Sequence, residues 1–237
     1  MDNTGYTTLT RQSGLMREMQ VIANNIANAA TTGFRQEGLL FSEHVKDTSN
    51  GESLSMATAN IRQTSMQQGS LTQTDGTLDL AIEGEGFFLI ATPSGERLTR
   101  AGSFSPDAAG NLVTSDGFHV LDSGGAPIFL PPGESDLKIA ADGTVSASGR
   151  PIGQIGLYLP VKPSDLVRED GVMFRADQGF EPASGARIVQ GFLEASNVDP
   201  ISQIARMIEV QRAYEMGQSF LQAEDERVKN ALRSFTS

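Results

Sequence analysis

The stretch EASNVDPISQIARMIEVQRAYEMGQSFLQAEDERVKNALRSF, residues 194–235, decides the fold. Asp199 has the short acceptor side chain of a helix N-cap, Pro200 suits the first turn, and no further Pro follows. Met207, Val210, Tyr214, Gly217, Leu221, Glu224, Val228, Ala231 and Phe235 then recur at alternating spacings of three and four, which is a heptad seam weakened only at Gly217 and Glu224. We expect residues 196–237 to be one long helix. An amphipathic helix packed on its own domain shows the same spacing, so the pattern leaves open what covers the seam.

The opposite end of the chain carries a second apolar stripe. Residues 3–32 contain no Pro, and Leu15, Met19, Ile22 and Ile26 form a narrow stripe ahead of Gly33, a candidate left-handed stop. Within that stretch, Ala23-Asn24-Asn25-Ile26-Ala27-Asn28 is unusual because Asn is a mediocre helix former. Asn24 and Asn28 lie one turn apart beside the apolar stripe, where amides can bond to neighbouring backbone or helices, although an Asn-rich end before Gly also reads as a helix fraying into its cap. We assign residues 1–46 to an N-terminal helix. Residues 47–76 follow as an extended polar connector, since 17 of the 31 residues from 47 to 77 are Ser, Thr, Gln or Asn.

Residues 77–195 read differently. Leu78, Leu80 and Ile82 alternate with Asp79, Ala81 and Glu83, and Ile155, Leu157 and Leu159 alternate with Gly156 and Tyr158, the period of a strand with one buried face. Further short strands fit 87–91, 111–114, 118–121, 127–130, 137–140 and 188–193, and Asp-Gly pairs at Asp75, Asp116, Asp142 and Asp170 mark hairpin turns. No strand–helix–strand rhythm occurs, which argues against a parallel nucleotide-binding sheet. The expected class is therefore α+β: long N- and C-terminal helices that form a coiled-coil pair in an assembly, around a central antiparallel β-rich domain.

Charge follows the same division. Residues 1–45 carry three basic and four acidic groups and residues 200–237 carry five of each, so of the net −11 almost all lies in the middle, with ten basic against twenty acidic groups. Near-neutral ends pack against copies of themselves, whereas the acidic middle stays wet and repels its copies. A duplex-binding role is disfavoured because phosphate contacts need clustered Lys and Arg. The longest apolar run, Phe87 to Ala91, is far too short for a membrane span, and no cleavable signal is visible in the first thirty residues. With helices too isolated to be stable alone, we expect the ends to be frayed in a dilute monomer and ordered once neighbours cover more than one face.

Candidate chemistry is sparse. No Cys is present, which excludes disulfides, thiolate nucleophiles and cysteine-held metals, and His44 and His119 are 75 positions apart with no metal-binding spacing. Gly84-Glu85-Gly86 lacks the third Gly and helix of a dinucleotide fingerprint and reads as a turn. Asp75 with Asp79, and Glu83 with Glu85, suggest a glycosidase pair but fall on the wet face of a strand. Asp107, Gly110 and Asn111 do not match a calcium loop. We expect no catalytic residue, no cofactor and no metal.

Four motifs, ANNIANAATTGF at 23–34, LDLAIEGEGFF at 78–88, RLTRAGSFSPDAAGNLVTSDGFHVL at 97–121 and EASNVDPISQIARMIEVQRAYEMGQSFLQAEDERV at 194–228, together resemble the flagellar basal-body rod and hook proteins. They cover both ends and the middle in the family's order. Within it, the short chain, the opening Met1-Asp2 and the modest central domain resemble the proximal-rod subunit most, with the distal-rod subunit as alternative, which usually has a longer connector after its first helix. The resemblance implies a structural subunit exported unfolded by the flagellar type III apparatus. Such subunits polymerise with copies of themselves and other rod subunits into a helical tube that crosses the periplasm, beside the surrounding basal-body ring, and carries torque from motor to hook. It also implies subunit-packing roles for Leu15, Met19, Ile22, Ile26, Met207, Val210, Tyr214, Leu221 and Val228, and interhelical hydrogen bonding for Asn24, Asn25 and Asn28. Gly217, where the family often has a larger residue, and the Gln-rich connector depart from the pattern.

Two rivals come from other classes. A secreted β-rich glycan-binding or hydrolytic domain is disfavoured by the absence of Trp and by only three Tyr, since sugar sites use aromatic platforms. A soluble coiled-coil adaptor, its helices paired within one chain, would show stable helix independent of concentration.

Overall fold

The computed structural model describes residues 3–47, 53–131, 133 and 136–236, and the chain divides into two compact units. Both long helices are present, and among the described residues every strand pairing is antiparallel, so the α+β class holds.

The first unit comprises Met1–Ala27, Glu37–Ser65 and Asp199–Ser237. Its helix α1 spans Asn3–Ala27 and its helix α2 spans Pro200–Thr236. Asp199 caps α2 as the sequence suggests: its Oδ1 accepts from the Ile201 amide at 3.1 Å, and its other oxygen accepts from the Ser202 hydroxyl at 2.5 Å. These bonds favour the ionised carboxylate and hold the Asp199 pKa below the usual range, the Ser202 contribution being the largest. The helices run antiparallel, since Asn25 meets Gln203, Glu18 meets Arg206 and Gln12 meets Tyr214. With 37 residues against 25, α2 extends past the start of α1.

Strands β1, Glu37–Asp47, and β2, Ser53–Thr64, form an antiparallel ribbon from the pair Glu37–Thr64 to Asp47–Ser53, with a register shift at Leu40/Phe41. This corrects the extended connector drawn over 47–76 and moves the boundary at 46 into the ribbon. Thr is at home in strands, so polar composition alone did not distinguish a strand from a connector. Helix α1 also ends earlier than expected. Gly33 is left-handed, φ 71°, yet it is no helix stop: a Cβ there would lie 2.3 Å from the Ala101 nitrogen, so the position needs Gly for close backbone packing.

The second unit comprises Asn28–Gln36 and Met66–Val198. Among the described residues its largest sheet has nine strands, with Phe87–Thr92 and Gly95–Thr99 at the centre. One core gathers Leu80, Ile82, Phe88, Ile90, Phe104 and Leu112, and a second gathers Phe87, Leu89, Leu98, Tyr158 and Phe174. Neighbouring residues of the strand Phe87–Thr92 thus feed opposite cores, so both its faces are covered. Asp116-Gly117, Asp142-Gly143 and Asp170-Gly171 each turn an antiparallel pair, whereas Asp75-Gly76 joins strands that pair elsewhere. The strand expected over 188–193 is two strands, Arg187–Gln190 and Phe192–Glu194, separated by left-handed Gly191. Residues 127–130 make only isolated bridges.

Candidate assembly interface

In the first unit the two apolar stripes meet. Leu15, Ile22 and Val210 form the buried centre, with Val210 only 2% exposed, and Met19, Ile26, Met207, Ala213 and Tyr214 pack against it partly covered. Leu221 is half-buried and Val228 is 44% exposed. Heptad spacing carries the seam to Val228, but Thr8 lines one groove with Phe220 and α1 reaches only to Asn3, little more than a turn further. The far end of α2 therefore carries seam residues with no α1 beneath them. Gly217 has a specific use: a Cβ there would lie 2.7 Å from Gln12 Nε2, which instead donates to the Tyr214 carbonyl at 3.1 Å.

The three Asn residues separate. Asn25 is buried, and its Nδ2 donates to the Glu37 carbonyl at 2.8 Å and to Gln203 Oε1 at 3.1 Å while its Oδ1 accepts from the Glu37 amide. It satisfies the start of β1 and a residue of α2 at once, and Gln203 is a partner that spacing does not reveal. Asn24 is exposed, and Asn28 belongs to the second unit, where its carbonyl accepts from the Thr31 amide in a turn.

A second apolar surface of α2 stays open. Ile201, Ile204 and Ile208 are 81%, 50% and 45% exposed and lie roughly a third of a turn round the helix from the seam. Met216 and Phe220 are also exposed and border a groove of about 350 Å³ with Leu15 and Gly217. Exposed apolar side chains in such density on one helix are the usual mark of an interaction surface.

The second unit holds a buried ionic cluster that the sequence reading missed. Arg35 pairs with Glu194 at 2.9 Å, both about 1% exposed, and Arg100 approaches the other Glu194 oxygen at 3.4 Å. Burial lowers the Arg100 pKa to about 10, with Glu194 opposing the shift, so Arg100 stays charged at neutral pH. Burial lowers that of Arg35 too, against the same carboxylate. Partners 159 positions apart leave no local signal for such a pair.

Of the acidic residues weighed for chemistry, Asp79 accepts from the Thr74 hydroxyl, Glu83 pairs with Arg187 at the surface, and Asp107 accepts from the Asn111 and Ala109 amides across a turn, which lowers its pKa. Among the described residues no group of three His, Cys, Asp or Glu could hold a metal ion, and no helix is long and apolar enough to cross a membrane.

Known proteins match at both ends of the chain and in its middle. Residues 3–35 match the family described as flagella basal body rod protein, residues 81–147 the flagellar hook protein FlgE/F/G D1 domain, and residues 189–234 the flagellar basal body rod FlgEFG protein C-terminal family. The chain is 42% identical to the flagellar basal-body rod protein FlgF of Caulobacter vibrioides over 91% of its length and 90% of the relative's. It is 39% identical to FlgF of Mesorhizobium japonicum over 91% and 90%, and 36% identical to FlgG of Bacillus subtilis over 93% and 94%. With helices, β-rich middle and near-complete relatives in agreement, this chain belongs to the flagellar basal-body rod protein family.

Proposed function

We propose that the chain is a structural subunit of the proximal rod of the flagellar basal body, of the FlgF kind, and that it polymerises with other rod subunits into the tube that carries torque from motor to hook. The observation that carries this reading is the surplus of apolar surface on α2: one face is filled by α1, while Ile201, Ile204 and Ile208 and the overhanging Val228 and Leu232 remain exposed. Leu15, Met19, Ile22, Ile26, Met207, Val210 and Tyr214 then set the helix pair, Asn25 ties it to β1, and Leu221 and Val228 pack against neighbouring subunits. Asn24 and Asn28 remain candidates for bonds between subunits. Passage through the flagellar type III apparatus, contact between the acidic middle and the surrounding ring, and the lack of any catalytic role complete the reading.

Alignment lengths favour the proximal over the distal subunit. Matches to the FlgF relatives span 223, 218 and 213 positions, whereas those to FlgG of Bacillus subtilis and of Caulobacter vibrioides span 250 and 260, more than the 237 residues of this chain. The FlgG relatives therefore carry insertions that this chain lacks. Deleting the gene and restoring it with either a FlgF or a FlgG relative tests the choice: rescue of motility by FlgF alone supports the proximal subunit, and rescue by FlgG alone reverses it.

A further inference from the structure

The chain passes between its two units four times, and three of those passages, at 36/37, 65/66 and 198/199, lie within a few residues of Arg35, Gln67 and Asn197. These residues are bonded to one another inside the second unit. The Arg35 guanidinium donates to the carbonyls of Met66 and Gln67 and pairs with Glu194. Glu194 Oε1 also accepts from the Gly69 amide at 3.0 Å, and the Glu194 carbonyl accepts from the Gly33 amide at 2.8 Å. Asn197 closes the ring: its Nδ2 donates to the Gln67 carbonyl at 2.7 Å, its Oδ1 accepts from the Gln36 amide at 2.6 Å, and its own amide donates to the Phe34 carbonyl. Arg100 ties the ring to the sheet by donating to the carbonyls of Ile82 and Gly84, and Arg168 stacks over Phe34 at 4.2 Å and Phe174 at 4.6 Å while donating to the Arg35 carbonyl.

We infer that Arg35, Glu194, Arg100 and Asn197 form a clamp that makes the three exits of the β-rich unit one mechanical part, so that twist delivered through any one connecting segment is borne by all three. The load-bearing half of this inference rests on the rod reading; the clamp itself does not. Stability alone is a poor reason for such a cluster, because replacing a buried ion pair with well-packed apolar side chains is often neutral or stabilising. Apolar packing, however, is non-directional and lets segments slide. Bonds aimed at the carbonyls of Met66, Gln67, Ile82 and Gly84 fix the segments in register.

Native-state hydrogen exchange on the full chain tests the clamp. In the wild type, the amides of Gly33, Gly69 and Asn197 are expected to share one opening reaction. Glu194→Gln leaves two guanidiniums facing an amide, and all three should lose protection by a common factor of about a hundred or more. Acceleration confined to Gly69, the direct partner, would overturn the inference. Should that variant fail to fold, the uncharged change Asn197→Ala is read at Gly33 and Gly69, neither of which bonds to its side chain; acceleration of both supports the clamp, and no change in either overturns it. In cells, Asn197→Ala is expected to rotate flagella normally in dilute buffer and to lose speed as viscosity rises. Wild-type speed at every load would refute the load-bearing role, whereas basal bodies that lack the protein altogether would refute the rod reading and leave the exchange result standing.

Discussion

Replacing Ile22 with Ala is the sharpest perturbation of the helix pair. Ile22 is 4% exposed and is one of three buried members of its cluster, with Leu15 and Val210, so the change removes a large share of the apolar contact between α1 and α2. Core truncations of this kind cost about 2–5 kcal/mol, the larger values where the surroundings cannot collapse. Here the neighbours Met19, Ile26, Met207 and Tyr214 are only partly covered and free to close in, which places the cost near about 2–3 kcal/mol, or a factor of roughly 30–150 in the docking equilibrium of the two helices. Neither core of the β-rich unit contains Ile22, so its calorimetric transition should not move. Hydrogen exchange resolved by peptide is the assay: amides of α1 and of the first half of α2 should exchange faster while those of 87–99 keep their rates. Unchanged exchange in α2 would show that the seam does not hold the helices together.

Further expectations concern the ends of α2. Leu221→Asp places a charge on the half-buried continuation of the seam; rod assembly and motility should fail while the β-rich unit melts as before, and normal swimming would mean that Leu221 faces solvent in the rod. Ile204→Gln alters a residue already half-exposed, so the monomer should melt unchanged while incorporation into rods falls; equal incorporation would remove that face from the interface. Asp199 gives the pH dependence: its folded pKa is depressed by the Ser202 and Ile201 bonds, so its contribution is fully present above its unfolded pKa near ~3.9 and is lost as pH falls through the lower folded value. Protection of the first turn of α2, measured against the intrinsic exchange rate at each pH, should therefore fall in acid, an effect that Asp199→Asn should abolish.

The ends of the chain were legible because their chemistry is local. Asp199 before Pro200 sets a start, and spacings of three and four identify Val210 and Tyr214 as facing a partner. Spacing does not reveal where the partner stops, which is why Val228 reads as seam yet lies exposed beyond α1. The ribbon of β1 and β2 was hidden because a run of Ser, Thr, Gln and Asn suits a polar connector as well as a strand. Gly95–Thr99 was missed because Arg97 sits in mid-strand; its guanidinium is held by Glu169, 72 positions away. Arg35 and Glu194 were invisible for the same reason, as charges become tolerable in a core only through partners that the sequence keeps apart. Asn25 was visible as an oddity, but its bonds to Glu37 and Gln203 depend on how α1, β1 and α2 come together.

The central claim is that this chain is built into the rod. Electron microscopy of purified basal bodies, with an antibody against an epitope in residues 77–195, tests it most directly. The account predicts label on the rod, concentrated toward its motor-proximal end, and rods that stop short when the gene is deleted. Intact rods without the protein, or label found only outside the basal body, would contradict it.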